Sequence, residues 1–239
     1  MKQIIIGDIH GRDSWKAIVA KESDADEVIF IGDYFDSWDE SSAIQMYNFK
    51  EIIEYKETTS QKVIMLIGNH DFHYFPEIGM CGTSGYQAGA APAISQLIDE
   101  NRKHLQICYK SGNFLFTHAG VSETFLEKAK SWSQGDASEI DDILNDLFKA
   151  KTYAFDFCGR DNTGDDITQT PIWIRPRSLM KDSKNLKKQG IIQIVGHTQQ
   201  NQIDAKGKAT GEKYFFIDTL GTSGEYLEII DGQINVKKI

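Results

Sequence analysis

Cysteine is scarce and unpaired in this sequence: Cys81, Cys108 and Cys158 are an odd number at unrelated spacings. That argues against a disulfide framework and against a thiolate zinc site, and it fits a reducing cytosol. Proline is also sparse, with four residues in 239. There is no Pro/Ser-rich linker, no low-complexity tract, and no repeat beyond the tetrapeptide Gly-Thr-Ser-Gly at 82 and 221. No basic segment leads into a long apolar run near the start, and no apolar run is long enough for a membrane helix. The expectation is a cytoplasmic protein without signal peptide or membrane span. Positive charge is outnumbered, with 26 Lys and Arg against 35 Asp and Glu and a net charge of −9. Such a surface is poorly suited to holding a long nucleic acid by phosphate neutralisation. Phosphorylated substrates remain open, because bound metal ions can reverse the local potential.

Hydrophobic residues make up 40% and charged residues 26% of the chain, enough for a sizeable core in one soluble domain spanning 1–239. Short apolar runs recur at Gln3–Ile6, Glu27–Ile31, Lys62–Ile67, Asn113–Thr117, Ile191–Val195 and Tyr214–Ile217. They are rich in Ile, Val and Phe without strict alternation, the pattern of strands covered on both faces. Helical patterns fall between them. Ser41–Lys56 carries Ile44, Tyr47, Ile52 and Tyr55, and Ser138–Lys151 carries Ile140, Ile143, Leu144, Leu147 and Phe148. The alternation predicts a layered α/β domain. Toward the C-terminus, Tyr214–Ile217, Glu225–Ile230 and Gln233–Lys237 are joined by Gly221–Gly224 and Asp231–Gly232, which predicts antiparallel hairpins and so a mixed sheet system. Gly79–Pro92 and Asp156–Pro171 read as long loops, of the kind that often carry function.

Five of the apolar runs end in side chains that bind metals. Gly7-Asp8-Ile9-His10-Gly11 follows the first, Asp33 and Asp36 the second, and Asn69, His70 and Asp71 the third. His118 and His197 end two more. Open α/β sheets bind ligands at the carboxyl ends of their strands, so these residues are expected in one crevice. Carboxylates, a carboxamide and imidazoles without thiolate suit Mn²⁺, Fe or Zn²⁺, and their number exceeds what one tetrahedral ion needs. The glycine ahead of each ligand is expected to turn the chain sharply off the strand. His73 and His104 lie outside these motifs and read as structural. Asp161–Asp166 lacks the downstream Glu of a calcium loop and reads as solvated, as do the lysines between Lys181 and Lys188.

Taken in order, Gly7–Gly11, Gly32–Asp36, Gly68–Asp71, Thr117–Gly120 and Gly196-His197 resemble the motifs of the calcineurin-like metallophosphoesterases, over residues 7–197. The closer likeness is to the serine/threonine phosphoprotein-phosphatase branch of bacterial or phage type, which includes dinucleoside-tetraphosphate hydrolases. Other branches usually place a second histidine two residues after the last, where this chain has Gln199. The resemblance implies two mixed β-sheets packed as a sandwich flanked by helices. It also implies two divalent ions, Mn²⁺ first, with Fe, Zn²⁺ or Ni²⁺ as alternatives. Asp8, His10 and Asp33 would hold the first ion, and Asp33 would bridge to a second held by Asn69, His118 and His197. His70 would be the general acid, oriented by Asp36. Arg175, in a Pro-Ile-Trp-Ile-Arg-Pro-Arg stretch like that of bacterial members, would clamp phosphate, with Arg177 second. That branch usually carries an arginine directly after the residue matching Asp36. Here Ser37 stands in its place, leaving Arg12 or Arg177 to substitute.

The activity implied is hydrolysis of phosphate monoesters by a two-metal-activated hydroxide. The substrate would be a phosphorylated small molecule, a nucleotide or a phosphoprotein. A nucleotide pyrophosphohydrolase or phosphodiesterase of the diadenosine-tetraphosphatase type is the alternative. A non-catalytic scaffold of the same fold is a third reading, which the pairing of His70 with Asp36 disfavours.

Overall fold

A computed structural model of the chain describes residues 1–79, 84–133, 137–158, 161, 163–206 and 213–239. Cys81 and parts of both long loops lie outside these residues. The three isoleucines of β1 (Lys2–Ile6) show how the layers arise. Successive side chains of a strand point to opposite faces. Ile4 and Ile6 accordingly join the core on one side, and Ile5 joins a second core on the other.

β1 lies parallel to β2 (Glu27–Phe30), and β2 parallel to β3 (Lys62–Leu66), with Ile4 opposite Val28 and Ile29 opposite Ile64. A two-residue strand, β4 (Leu105–Gln106), pairs parallel with β3. The second sheet is built from β5 (Cys108–Ser111), β6 (Phe114–Thr117), β7 (Ile192–Val195), β8 (Asp204–Lys206) and β9 (Tyr214–Phe216). Its order is β5-β6-β7-β9-β8, with β6, β7 and β9 parallel and β5 and β8 antiparallel at its edges. The chain then returns to the first sheet as β10 (Glu225–Ile230) and β11 (Gln233–Lys238), a hairpin whose inner strand runs antiparallel to β1. The order of that sheet is β11-β10-β1-β2-β3-β4.

The sheets face each other through Ile5, Ile29, Ile64 and Leu66 on one side and Phe116, Ile194 and Phe215 on the other, all buried. Removing such side chains from water stabilises by about 1.5–3 kcal/mol each. The outer face of the first sheet is covered by α1 (Trp15–Lys21), α2 (Ser42–Thr58) and α4 (Ala91–Glu100), α3 (Asn69–Phe72) being the short turn after β3. The helices α5 (Glu123–Trp132) and α6 (Ile140–Ala150) add Phe125, Leu144 and Phe148 to the same core. Two short helices, α7 (Pro176–Lys181) and α8 (Lys184–Lys188), complete the described elements; Leu179 of α7 packs on Val195 and Phe216.

Two expectations are corrected. Tyr214–Ile217 and Glu225–Ile230 do not form a hairpin, because β9 and β10 belong to different sheets and Gly221–Gly224 lies in the crossing between them. The buried face of α2 is not the one read from its apolar residues: Ile44 and Tyr47 are exposed, while Gln45, Asn48, Phe49, Ile52 and Ile53 are buried. Gln45 and Asn48 are inside because they satisfy the loops that follow β1 and β2. Asn48 accepts from the Trp15 indole at 2.8 Å and donates to the Arg12 carbonyl at 3.0 Å. Gln45 accepts from the Ser37 amide at 3.2 Å and donates to the Glu40 carbonyl at 2.6 Å.

Candidate active site

Six parallel strand ends meet at one edge of the sandwich. They deliver Asp8 and His10 after β1, Asp33 and Asp36 after β2, Asn69 and His70 after β3, His118 after β6, His197 after β7 and Asp218 after β9. Backbone amides stitch these loops together: His10 donates to the Asp33 carbonyl at 2.6 Å, and Gly196 to the His118 carbonyl at 2.8 Å. The His197 amide donates to the Asp8 carboxylate at 3.0 Å, joining one sheet to the other.

Of the glycines before the ligands, Gly32 turns the chain as expected, with φ of 110° ahead of Asp33. At Gly68 and Gly196 the requirement is space, since a Cβ would fall 2.0 Å from Asp33 Oδ1 and 1.9 Å from Asp8 Oδ1. The left-handed backbone also falls on functional residues that are not glycine, with φ of 43° at His10, 52° at Asp33, 62° at Asp36 and 64° at His197. Such non-glycine conformations cost about 1–3 kcal/mol each and persist where the surroundings enforce them.

Three imidazoles are oriented by a common device. His10 Nδ1 meets the Phe35 carbonyl at 2.7 Å, His118 Nδ1 the Ile31 carbonyl at 3.0 Å, and His197 Nε2 the Trp173 carbonyl at 3.0 Å. A carbonyl can only accept, so each of these nitrogens carries the ring hydrogen. The other nitrogen of each ring faces oxygen. His118 Nε2 lies 3.3 Å and His10 Nε2 3.6 Å from Asp33 Oδ2, and His197 Nδ1 lies 2.8 Å from Asn69 Oδ1. Asn69 Oδ1 also lies 3.0 Å from His118 Nε2.

Lone pairs aimed at carboxylate and carboxamide oxygens call for a cation between them. Backbone-tethered imidazoles of this kind are the usual state of metal-bound histidines. Asp8, Asp33 and His118 place one donor atom each within 4.8 Å of one another, all buried. The donor set therefore fits divalent ions bound through oxygen and nitrogen.

The electrostatics agree. Burial and the nearby charges of Asp218 and Asp33 push the Asp8 carboxyl well above its ordinary range. Asp33 is held well below that range: burial opposes its charge, but the imidazoles of His118 and His70 prevail. For His118, burial is outweighed by Asp33 and Asp8, which raise it to about 9. Burial, with His118 and Arg175 close by, keeps His197 well below its usual value. Without metal, protons take the place that positive charge must fill.

His70 stands beside this cluster. Its Nδ1 lies 3.0 Å from Asp36 Oδ2, which leaves Nε2 as the nitrogen free to exchange a proton in the cleft. Burial opposes its charge, yet Asp33 and Asp36 raise it to about 9. Asp36 holds two further partners that the motifs did not indicate. His73 Nε2 reaches Oδ2 at 2.9 Å, and the Tyr74 hydroxyl donates to Oδ1 at 2.5 Å. The only sequence signal for His73 is its spacing of three from His70.

Two more acids, to which the motifs assigned no role, belong to the site. Asp218, in the Phe-Ile-Asp-Thr-Leu-Gly stretch, lines the cleft and is raised to about 6 by burial and by Asp33. Asp71 accepts from the amides of Asp33, Tyr34 and Gly68 at 2.8, 2.7 and 2.9 Å, fixing the loops that carry the ligands.

The arginines sort clearly. Arg12 lines a cavity of about 220 Å³ with His10, Asp36, His70 and Asp218. The one hydrogen bond its guanidinium makes among the described residues is to the Ile9 carbonyl at 3.4 Å. Arg175 is half-buried and does not line that cavity; its Nε donates to the Thr163 carbonyl at 3.0 Å and a terminal nitrogen to the His197 carbonyl and the Thr198 hydroxyl, both at 3.1 Å. Arg177 does not line that cavity: it is exposed and lies 3.8 Å from Asp165. Ser37 lines the cavity but brings no positive charge to a phosphate; its Oγ accepts the amides of Asp39 and Glu40 at 3.2 and 3.1 Å.

Comparison with known proteins agrees with this geometry. The family profile described as calcineurin-like phosphoesterase matches residues 1–215. A search of curated protein sequences finds no match. The fold is similar to a cold-active protein-tyrosine phosphatase of the psychrophile Shewanella sp., with TM-score 0.66, 16% identity, and 98% of this chain and 77% of that one covered. It is also similar to a protein serine/threonine phosphatase from Saccharomyces cerevisiae, with TM-score 0.55, 14% identity, and coverage of 100% and 80%. No helix among the described residues is long and apolar enough to cross a membrane. With the family profile covering most of its length, this chain belongs to the calcineurin-like phosphoesterases and is a hydrolase acting on phosphate esters.

Proposed function

We propose that the protein hydrolyses phosphate monoesters at a centre of two divalent cations. The observation that carries this reading is the set of three backbone-tethered imidazoles whose free nitrogens converge on Asp33 and Asn69. Asp8, His10 and Asp33 would hold one cation, and Asp33, Asn69, His118 and His197 the other. Their mix of oxygen and imidazole donors suits Mn²⁺, with Fe, Zn²⁺ and Ni²⁺ as competitors. When bound, such ions activate water near neutral pH and neutralise the phosphoryl oxygens.

The chain's own residues supply the rest. Asp36 accepts from His70 Nδ1 and so fixes the ring with Nε2 toward the leaving oxygen, which His70 protonates as it departs. Arg12 takes the remaining phosphoryl charge with a planar fork suited to two oxygens, and Arg175, whose Nε and one terminal nitrogen are held by the protein, adds its positive charge. Arg12 rather than Arg177 substitutes for the arginine that Ser37 replaces. The reaction is a single in-line displacement by water, with no phosphorylated side chain.

The cleft of about 220 Å³ favours the monoester over the dinucleotide reading, since pockets for larger organic ligands run from about 300 to 1,000 Å³. Turnover of p-nitrophenyl phosphate, bis-p-nitrophenyl phosphate and diadenosine tetraphosphate with Mn²⁺ tests the choice. The monoester should be cleaved fastest by a clear margin; faster cleavage of either diester substrate would reverse the assignment. Hydrolysis in ¹⁸O-water should label the released phosphate without trapping of a phosphoenzyme.

A further inference from the structure

Trp38 is 80% exposed, the most exposed large apolar side chain among the described residues. A single exposed apolar residue is ordinary on a protein surface. This one, however, lines the cavity that also holds His10, Arg12 and His70. Its loop is fixed rather than free. Ser37 Oγ accepts the amides of Asp39 and Glu40, and Gln45 of α2 grips the same turn at the Ser37 amide and the Glu40 carbonyl. One helical turn further on, Asn48 holds the Arg12 carbonyl at 3.0 Å. A single polar face of α2 therefore holds the backbone from which Trp38 and Arg12 reach the cavity that His70 also lines.

We infer that Trp38 and Arg12 form a leaving-group subsite for phosphate esters whose leaving group contains a planar aromatic ring. The inference rests on the monoester reading above and names its substrate class. The ring stacks on the indole, while Arg12 holds an oxygen of the phosphoryl group beside it. A space of about 220 Å³ suits a phosphate with one ring system rather than two. The P–O bond to the ester oxygen breaks, water supplies the new P–O bond, and the leaving oxygen takes a proton from His70.

Benzyl phosphate and cyclohexylmethyl phosphate test this directly. They have similar bulk and similarly basic leaving oxygens, and only the first carries a flat ring. The Mn²⁺-loaded enzyme should prefer benzyl phosphate by about threefold to tenfold in kcat/KM, the worth of an aromatic stack. In Trp38→Ala that ratio should fall to about one, and Trp38→Phe should keep most of it. A ratio of one in the unmodified enzyme, or an undiminished ratio in Trp38→Ala, overturns the inference. Binding gives a second readout: benzylphosphonate should quench tryptophan emission more than cyclohexylmethylphosphonate does, and Trp38→Phe should abolish the difference. Selective quenching without hydrolysis of either ester would keep the subsite and remove the monoester reading. Hydrolysis of both esters without selectivity would do the reverse. O-phosphotyrosine against a 5′-mononucleotide then separates a phenolic from a nucleotide source.

Discussion

His70 and His73 share one oxygen: His70 Nδ1 lies 3.0 Å and His73 Nε2 2.9 Å from Oδ2 of Asp36. An ionised carboxylate can accept both, and the Tyr74 hydroxyl occupies its other oxygen. Asp36 is held below the usual carboxylate range because these bonds outweigh the burial that opposes its charge. It is thus a fixed anion whose work is to set the ring of His70. Replacing it by Asn should lower kcat by about 10–100-fold with metal content preserved, as for other carboxylates that orient imidazoles. Steady-state rates with metal analysis check this, and loss of the metals along with activity would assign Asp36 to the metal site instead.

Removing the acid itself should depend on the leaving group. His70→Ala should slow hydrolysis of an alkyl phosphate by about 10²–10⁴-fold, the range for a positioned proton donor. It should slow p-nitrophenyl phosphate far less, because nitrophenolate leaves without a proton. Equal losses on both substrates would take the acid role from His70.

The arginines should separate cleanly. Arg12→Ala should reduce kcat/KM by about 10–100-fold, the scale of a lost charge-assisted hydrogen bond. Arg177→Ala, at an exposed side chain outside the cavity, should change kcat/KM by less than about twofold. The reverse order would move the phosphate grip to Arg177.

Metal removal should make stability sensitive to alkaline pH. In the metal-free protein His70 and His118 both lie at about 9. For both, burial opposes the charge and neighbouring carboxylates overcome it. A histidine whose folded value exceeds its unfolded one of about 6.5 contributes stability that is complete below about 6.5 and is lost as pH rises through about 9. The urea midpoint of chelated protein should therefore fall between pH 7 and 9.5. With Mn²⁺ restored the fall should shrink to the share of His70, because His118 as a metal-bound imidazole is already neutral. A flat profile without metal would contradict the charge balance described for the site.

Much of the site was legible because its residues sit at chemically distinctive strand ends. Asp8, His10, Asp33, Asn69, His118 and His197 each follow an apolar run, and the observed strands begin and end within one residue of those runs. What escaped the sequence is what depends on assembly. Gln45 and Asn48 look like outer-face residues of a helix, yet they are buried because loops distant in sequence need their amides. His73 lies outside the motifs and Asp71 ends one without an assigned role, and what they do appears only when β2 and β3 lie side by side. The separation of β9 from β10 was hidden for a similar reason. Two apolar runs joined by glycines read as a hairpin until each finds a better-matched neighbour, β7 and β1 respectively.

Anomalous diffraction at the manganese edge from crystals grown with Mn²⁺, paired with elemental analysis of the same protein, addresses the central claim most directly. The account predicts two ions per chain about 3.5–4 Å apart, both in contact with Asp33, with occupancy of the pair lost in Asp33→Asn. A site that stays empty under saturating Mn²⁺, or a single ion bound away from Asp33, would contradict it.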